Sequence, residues 1–220
     1  MSTTVVAART ALEAPSLLWR IVGLGERILA GFLLILVFPF LALAGLAVVM
    51  LSNRSPLIAH QRLGKYGRPF WVVKLRTMWN RSQPGRFRLI EKIAGDPNGD
   101  IIPKKPGDPR ITSCFALFCR RYSIDELPQL WHVLRGDMAL IGPRPLTEIE
   151  IKTYYKCEAR ELLSRKPGIS GLWQVRGRST LTYKQRRRLD LFMIRKWQFR
   201  LYLRLLLETV PCVFGGKDAW

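Results

Sequence analysis

The sequence is poor in the residues that form metal sites and disulfide frameworks. It holds two histidines and four cysteines in 220 residues, and no CxxC spacing occurs. The cysteines are Cys114, Cys119, Cys157 and Cys212. With so few candidate ligands, a zinc site is not expected, and four cysteines are too few for a disulfide framework in a chain of this length. They indicate reduced thiols in a domain that faces the cytoplasm.

Acidic residues are also scarce. The 16 Asp and Glu stand against 36 Lys and Arg, which gives a formal net charge of +20. Such an excess indicates a polyanionic partner, namely nucleic acid, anionic lipid or a phosphate-rich substrate; solubilising surface charge is the alternative. The apolar content of 48% excludes wholesale disorder. The length suits one ordinary domain with room for a small appendage.

Long apolar runs are limited to one, Ile28–Leu51, which contains no charged residue. As a helix it would be roughly 36 Å long, enough for a bilayer core of about 30 Å. Pro39 lies near its centre and would kink or break the helix. Basic residues flank both ends, and basic flanks prefer the cytoplasm. We therefore predict a re-entrant helix hairpin over residues 19–53, broken at Pro39; a single crossing is the alternative.

The rest of the chain predicts an α+β, mostly helical protein, with a loose leader at residues 1–18 and a membrane-associated cytoplasmic domain at 54–220. The runs LIAHQR and PFWVVKLR around LGKYGR predict a small β-hairpin. Residues 80–112, rich in Gly, Pro and Asp, predict a long surface loop. Helices are predicted over residues 113–121, after residue 125, over 147–164 and over 183–210, and KPGISG predicts a turn.

Two stripes recur at four-residue spacing in the last predicted helix. The basic stripe is Lys196, Arg200 and Arg204, and the apolar stripe is Met193, Trp197, Leu201 and Leu205. Aromatic residues mixed with arginine suit the headgroup layer of a membrane. We therefore predict an interfacial amphipathic helix that contacts anionic lipids. Packing of this helix on the protein core is the alternative.

Adjacent acids, Asp125 and Glu126, stand within the segment RYSIDELPQLWHVLRGDMALIGPRP. Helix initiation is the simplest explanation, because Ser123 and Glu126 match a capping box. Pro128 disfavours it, since with Ser123 as the cap this proline would lie past the first helical turn. A helix that begins near Asp125 places both acids at its positive end. That position lowers the pKa of a carboxylate and suits a nucleophile near neutral pH.

Basic residues surround these acids in the sequence. They are Arg120, Arg121 and Arg144, with Lys74 and Arg76 in the predicted hairpin. Arginine matches phosphate oxygens bidentately. A buried salt-bridge network would explain this set. The alternative is a site for a diphosphate and a divalent cation, where positive charge lets an anionic carboxylate approach phosphorus.

An ordered set of motifs resembles the bacterial sugar transferase family, the monotopic phosphoglycosyl transferases, in its minimal form. The motifs are the apolar segment with its proline, QRLGKYGRPFWVVKLRTM, GDPRIT, the block with DELPQLW and GPRPL, RKPGISGLWQVRGR and RRLDLF. They extend from Arg27 to about Val210. The central block is long and highly specific, whereas an isolated DE pair would mean little.

The resemblance implies a two-step transfer at the cytoplasmic face of the bacterial inner membrane. Asp125 would attack the β-phosphorus of a UDP-sugar and release UMP. The resulting aspartyl phosphosugar would pass to polyprenyl phosphate, namely undecaprenyl phosphate, which initiates exopolysaccharide, O-antigen or glycoconjugate synthesis. Glu126 would complete the catalytic pair, and Asp125 would hold Mg²⁺ together with the diphosphate.

The resemblance also implies that Lys74, Arg120 and Arg144 contact phosphate or nucleotide and that Asp190 is a further substrate-binding acid. A salt bridge of Asp190 with a neighbouring arginine, Arg186 or Arg187, is the alternative. The rival function is a basic membrane-bound adaptor or nucleic-acid-binding protein. We expect no nucleic-acid partner, because the arginines form neither a recognition helix nor a stacking sheet. The sequence leaves open which sugar is carried and whether the chain forms a homo-oligomer.

Overall fold

A computed structural model of the chain describes residues 16–78, 88–93 and 113–215. In this part of the chain the fold is α+β and mostly helical, as predicted. The α-helices are α1 (Leu17–Ser52), α2 (Cys114–Arg121), α3 (Leu130–Arg135), α4 (Glu148–Glu150), α5 (Ala159–Leu162), α6 (Leu172–Arg176), α7 (Tyr183–Arg195) and α8 (Phe199–Gly215). The strands are β1 (Leu57–Leu63), β2 (Pro69–Leu75), β3 (Ile90–Ile93), β4 (Ala139–Ile141) and β5 (Gly168–Ser170).

The predicted membrane segment corresponds to α1, a helix of 36 residues with Pro39 inside it. At ~1.5 Å per residue its length is roughly 54 Å. Among the described residues it is the one helix long and apolar enough to cross a membrane, judged by length and composition. The backbone is helical on both sides of Pro39. The re-entrant break at this proline therefore stays a prediction, and the leader up to residue 15 lies outside the described residues.

The two faces of α1 differ. One face packs on the rest of the protein: the Trp19 ring lies 5.4 Å from that of Trp197, Ala30 is buried against α3, and Val48 is buried beside Leu75. The opposite face is exposed and apolar, and includes Ile21, Leu24, Ile28, Phe32, Ile35, Leu43, Leu46 and Met50. A continuous apolar surface of this length is typical of a contact with lipid or with another protein.

The predicted hairpin is confirmed. β1 and β2 pair antiparallel from Leu57 opposite Leu75 to Leu63 opposite Pro69, and the turn between them includes Gly67 at φ 75°. β3 adds to the other edge of β1 in parallel. The prediction of an uninterrupted loop over residues 80–112 is therefore wrong at this strand. Apart from 88–93, that stretch lies outside the described residues.

The prediction of a turn at KPGISG is wrong, because this segment contains β5, which pairs in parallel with β4. Glycines make the pairing feasible. A Cβ on Gly168 would collide with the backbone of Gly142, and a Cβ on Gly142 would collide with the carbonyl oxygen of Lys166. The two segments therefore meet backbone to backbone, which fixes the GPRP loop that follows β4.

The single helix predicted over residues 147–164 is interrupted. A capping box at Thr147 starts α4, and a π-helix, Ile151–Tyr155, and a 3₁₀ helix, Lys156–Glu158, separate α4 from α5. Lys156 has a positive φ of 42°. The interruption leaves Tyr155 buried, where it reaches the site described below.

The last predicted helix consists of two, α7 and α8, and Lys196 follows the end of α7. The prediction of a continuous basic stripe is therefore wrong. The predicted apolar stripe is also not a membrane face, since Met193 and Leu205 are buried and Trp197 and Leu201 pack against their cluster. The alternative, packing on the protein core, is correct. A different set on α8 is exposed, namely Phe199, Leu203, Leu207 and Val210.

Candidate active site

Asp125 and Glu126 lie in the first turn of a 3₁₀ helix, Ile124–Gln129, that leads directly into α3. The helix therefore begins near Asp125, as predicted. The alternative capping box at Ser123 is wrong, because the Ser123 side chain makes no capping hydrogen bond and its backbone is left-handed, with φ 56°. Ser123 therefore forms a turn, and this turn sets the direction of the helix that carries the two acids.

Arg178, in the 3₁₀ helix Arg178–Thr180 that precedes α7, holds this turn. Its guanidinium donates to the hydroxyl of Ser123 and, at 3.5 Å, to the carbonyl oxygen of Arg121. Ser123 and Arg178 both have positive φ values, 56° and 43°. Non-glycine residues keep this conformation only where the surroundings impose it. The contact therefore fixes the start of the helix that presents Asp125.

Lys74 and Arg144 converge on Glu126. The Nζ of Lys74 donates to Oε1 of Glu126 at 2.6 Å, and Nη1 of Arg144 lies 3.7 Å from the same oxygen. Burial lowers the pKa of the Lys74 ammonium, and the negative charges of Glu126 and Asp125 oppose that shift. The structure thus brings together four predicted site residues from three separated segments.

His132 fixes the strand that carries Lys74. The backbone N–H of Val73 donates to Nε2 of His132 at 3.2 Å, which docks β2 on α3. Burial lowers the pKa of His132, although Asp137 opposes this shift. A neutral imidazole can accept this hydrogen bond, so the strand is held one residue from Lys74.

A buried indole positions two arginines on the other side of the site. The guanidinium of Arg144 lies 5.6 Å from the Trp173 ring centroid, and that of Arg186 lies 4.7 Å from it. Cation–π contacts of this kind contribute about 0.5–2 kcal/mol each. No pattern in the sequence identifies Trp173 as a site residue. The sequence suggests Arg186 only as a salt-bridge partner of Asp190.

Arg62 and Glu150 form a further ion pair, with Nη1 of Arg62 2.7 Å from Oε2 of Glu150. Burial lowers the pKa of Arg62, and Glu150 opposes this. Burial acts to raise the pKa of Glu150, but Arg62 and the Thr147 backbone outweigh it, so the pKa falls. The pair places another guanidinium near the site. From the sequence, Arg62 is identifiable only as one of the basic residues that follow the apolar run.

Asp190 is fully buried in α7, and its Oδ2 accepts a hydrogen bond of 2.7 Å from the hydroxyl of Tyr155. Burial raises the pKa of Asp190 to about 7, against the opposing effects of Tyr155, Arg144 and Arg186. Arg187, considered as its partner, instead pairs with Glu158 at 3.5 Å. The pKa of Asp190 therefore depends on the positive charges of Arg144 and Arg186.

The remaining predicted basic residues differ in position. Arg120 is buried in the last turn of α2, next to Cys119. Burial and the negative charge of Asp125 raise the pKa of Cys119 to about 11, so this thiol is neutral at physiological pH. Arg76 binds the carbonyl oxygen of Ser55 and the carboxylate of Glu91. These contacts make it a structural residue of the sheet.

Mg²⁺ has no ready-made protein cage in the described residues, where no group of three or more His, Cys, Asp or Glu could hold a metal. Mg²⁺ commonly binds one or two carboxylates and completes its shell with phosphate oxygens and water. The adjacent carboxylates of Asp125 and Glu126 fit that mode. The residues therefore suit a cation that binds together with a diphosphate.

A carboxylate pair beside half-buried lysine and arginine side chains, in a domain that carries a long helix with an exposed apolar face, suits the binding of a phosphate-bearing group. The profile of the bacterial sugar transferase family matches residues 20–216. The chain belongs to this family, which confirms the resemblance seen in the motifs.

Similar proteins include the UDP-galactose-lipid carrier transferase of Erwinia amylovora, 36% identical over 177 residues that cover 79% of this chain and 36% of the relative. The undecaprenyl-phosphate galactose phosphotransferase of Salmonella typhimurium is 38% identical over 169 residues, covering 74% of this chain and 34% of the relative. The exopolysaccharide production protein ExoY of Rhizobium meliloti is 34% identical over 206 residues, covering 90% and 89%. The chain thus spans about a third of the length of the first two relatives.

Proposed function

We propose that the protein transfers a sugar phosphate from a UDP-sugar to a polyprenyl phosphate, namely undecaprenyl phosphate, and releases UMP. The main support is the convergence of Lys74 and Arg144 on Glu126 beside Asp125. Their side chains are only 18% and 28% exposed, which favours a small phosphate-bearing substrate over the backbone of a nucleic acid. As in the named relatives, the acceptor would be a lipid carrier.

In the first step, a carboxylate oxygen of Asp125 attacks the β-phosphorus of the donor. The bond from this phosphorus to the oxygen that bridges it to the α-phosphorus breaks, and that oxygen leaves with UMP. In the second step, a phosphate oxygen of the lipid attacks the same phosphorus, and the bond to Asp125 breaks. The carboxylate is thereby restored, and the sugar phosphate is joined to the lipid phosphate.

The neighbouring side chains support this division of labour. Oε1 of Glu126 is engaged by Lys74, which suits Glu126 to holding cations in place and leaves attack to Asp125. Lys74 and Arg144 can hold phosphate oxygens and stabilise the charge that shifts during transfer. When bound, Mg²⁺ would supply further screening of phosphate charge beside Asp125. Arg178 would keep the attacking residue in position through Ser123.

The contacts of α1 support insertion from one face of the membrane. Trp19, near its beginning, packs on Trp197, and Val48, near its end, packs beside Leu75. A straight crossing would carry one end across a core of about 30 Å, away from the domain. We propose that both ends stay at the cytoplasmic face of the bacterial inner membrane, where the excess of Lys and Arg over Asp and Glu favours contact with anionic lipids.

The covalent step is tested by incubating purified protein with radiolabelled UDP-sugar and Mg²⁺ without lipid acceptor. We expect a labelled protein adduct and one equivalent of UMP, both abolished in Asp125→Asn. Glu126→Gln should slow adduct formation but leave the site of attachment unchanged. Continued UMP release by Asp125→Asn would show that another residue is the nucleophile.

The topology is tested with cysteines introduced at both ends of α1, in Ser16→Cys and Asn53→Cys variants. Both should resist a membrane-impermeant maleimide added to the periplasmic side and react after permeabilisation. Labelling of one variant from outside would establish a full crossing and refute the one-face insertion.

A further inference from the structure

A pocket opens on the side of Glu126 that faces the hairpin and the GPRP loop. Its polar lining includes His60, Arg62, Lys74, Gln129 and Arg144. Gln129 is the last residue of the 3₁₀ helix that carries the acid pair in its first turn, so it lies about one helical turn from Asp125. The sequence did not identify it as a site residue.

Gln129 is buried without satisfying its amide donor. Only 2% of the residue is exposed, and its Nε2 has no hydrogen-bond partner within residues 16–78, 88–93 and 113–215. Buried side-chain donors in folded proteins nearly always have a partner, because an unsatisfied one costs about 1–3 kcal/mol. Because Gln129 lines the pocket, a ligand that enters the pocket can supply the missing acceptor.

The other polar groups of the pocket indicate which chemistry would satisfy this amide. Arg62, Lys74 and Arg144 line the same pocket, and each is positively charged. Glu126 also lines it, but its Oε1 already accepts from Lys74. Donors and cations that line one pocket suit an anion with several acceptor oxygens, and a phosphate group provides them.

We propose that Gln129 is a substrate-binding residue whose amide donates a hydrogen bond to a phosphate oxygen. This inference rests on the proposed function for the identity of the substrates. The phosphate belongs either to the diphosphate of the nucleotide sugar or to the lipid acceptor. In both cases Gln129 acts together with Lys74 and Arg144, and the substrate completes its hydrogen bonding.

The test is Gln129→Met in the full chain, because methionine keeps the approximate volume and removes the donor. Removal of an unsatisfied buried donor should leave the melting temperature of the ligand-free protein unchanged or raised. Loss of a hydrogen bond to a charged group should raise KM roughly 10- to 100-fold for one phosphate substrate. KM for the UDP-sugar and for polyprenyl phosphate, measured separately, will identify which phosphate is bound.

Two further variants make the result specific. Gln174 also has a buried amide for which the described part of the chain offers no hydrogen-bond partner, and it lies outside this pocket. Gln174→Met should therefore leave both KM values unchanged. Gln129→Glu places a carboxylate oxygen where the donor stood, so it should weaken phosphate binding more than Gln129→Met does. Unchanged KM values in Gln129→Met, or full activity in Gln129→Glu, would overturn the inference.

Binding without turnover separates this inference from the proposed function. The probes are UMP, inorganic phosphate and polyprenyl phosphate, each measured by its shift of the melting temperature. A shift that is lost in Gln129→Met supports the phosphate contact even if the protein transfers no sugar phosphate. A shift that is equal in wild type and Gln129→Met refutes the contact even if transfer occurs.

Discussion

Replacement of Glu126 by glutamine should destabilise the protein as well as impair transfer. The side chains of Lys74 and Glu126 are 18% and 22% exposed, and their charged atoms lie 2.6 Å apart. Removal of one partner from a buried ion pair costs about 3–5 kcal/mol. The residual exposure favours the lower end of this range, about 3 kcal/mol. For a domain of this size the melting temperature should fall by roughly 6–12 °C.

Thermal unfolding of full-length Glu126→Gln and of the double variant Lys74→Met/Glu126→Gln measures this coupling. The double variant should recover most of the lost stability, because no unpaired ammonium remains beside the site. It should nevertheless form the adduct no faster than Glu126→Gln does, because a phosphate-binding cation is gone. An unchanged melting temperature in Glu126→Gln, or additive losses in the double variant, would refute the electrostatic reasoning.

Three further predictions concern other parts of the site and fold. Ser123→Ala and Arg178→Gln should each slow adduct formation without changing KM. The double variant should form the adduct no more slowly than the slower single variant. If the two losses of rate multiply in the double variant, the shared hydrogen bond is contradicted. Because the pKa of Asp190 is raised to about 7, the folded state holds a proton that the unfolded state releases above about pH 4. The stabilisation from this group is therefore lost as pH rises towards 7, by at most about 1.4 kcal/mol per pH unit. Urea unfolding across pH 5–8 should therefore show a free energy of unfolding that depends less on pH in Asp190→Asn than in the wild type. An equal slope in the two proteins would exclude Asp190 as the cause. Gly168→Ala should cost about 1–3 kcal/mol, because its Cβ would meet fixed backbone atoms. Gly25→Ala, with open space around its Cβ, is the control, and equal melting temperatures for the two variants would contradict the close approach.

The elements that the sequence predicts well are those with local signals. The hairpin follows from two β-rich runs around a glycine-containing turn, and α2 follows from a short helical pattern that Ser113 caps with its side chain. Lys74, Asp125 and Arg144 belong to distinctive motifs, so their role could be predicted from resemblance. Their convergence around Glu126 supports this choice.

Other residues of the site have no such signal. Trp173 fixes Arg144 and Arg186 by ring contacts between distant segments, and no spacing in the sequence records this. Gln129 is identified only because its buried amide nitrogen has no hydrogen-bond partner among the residues that the structure describes. Both depend on tertiary structure, which local periodicity does not describe.

The errors in secondary structure have the same origin. The break between α7 and α8 contains neither glycine nor proline, and it coincides with the packing of Trp197 into a core cluster. β5 comprises three residues and begins with glycine, so its sequence resembles a turn. Its pairing with β4 becomes evident only when the two backbones are close.

α1 contributes Ala30 and Val48 to two separate core clusters. The helix is therefore part of the hydrophobic core of the domain, and its other face forms an exposed apolar surface. A shortened protein beginning after residue 53, made to avoid detergent, would lose packing partners for Leu130 and Leu75 and should aggregate. Efforts to obtain a water-soluble form would do better to replace outward-facing residues such as Ile35 and Met50 with polar ones and to retain the whole helix.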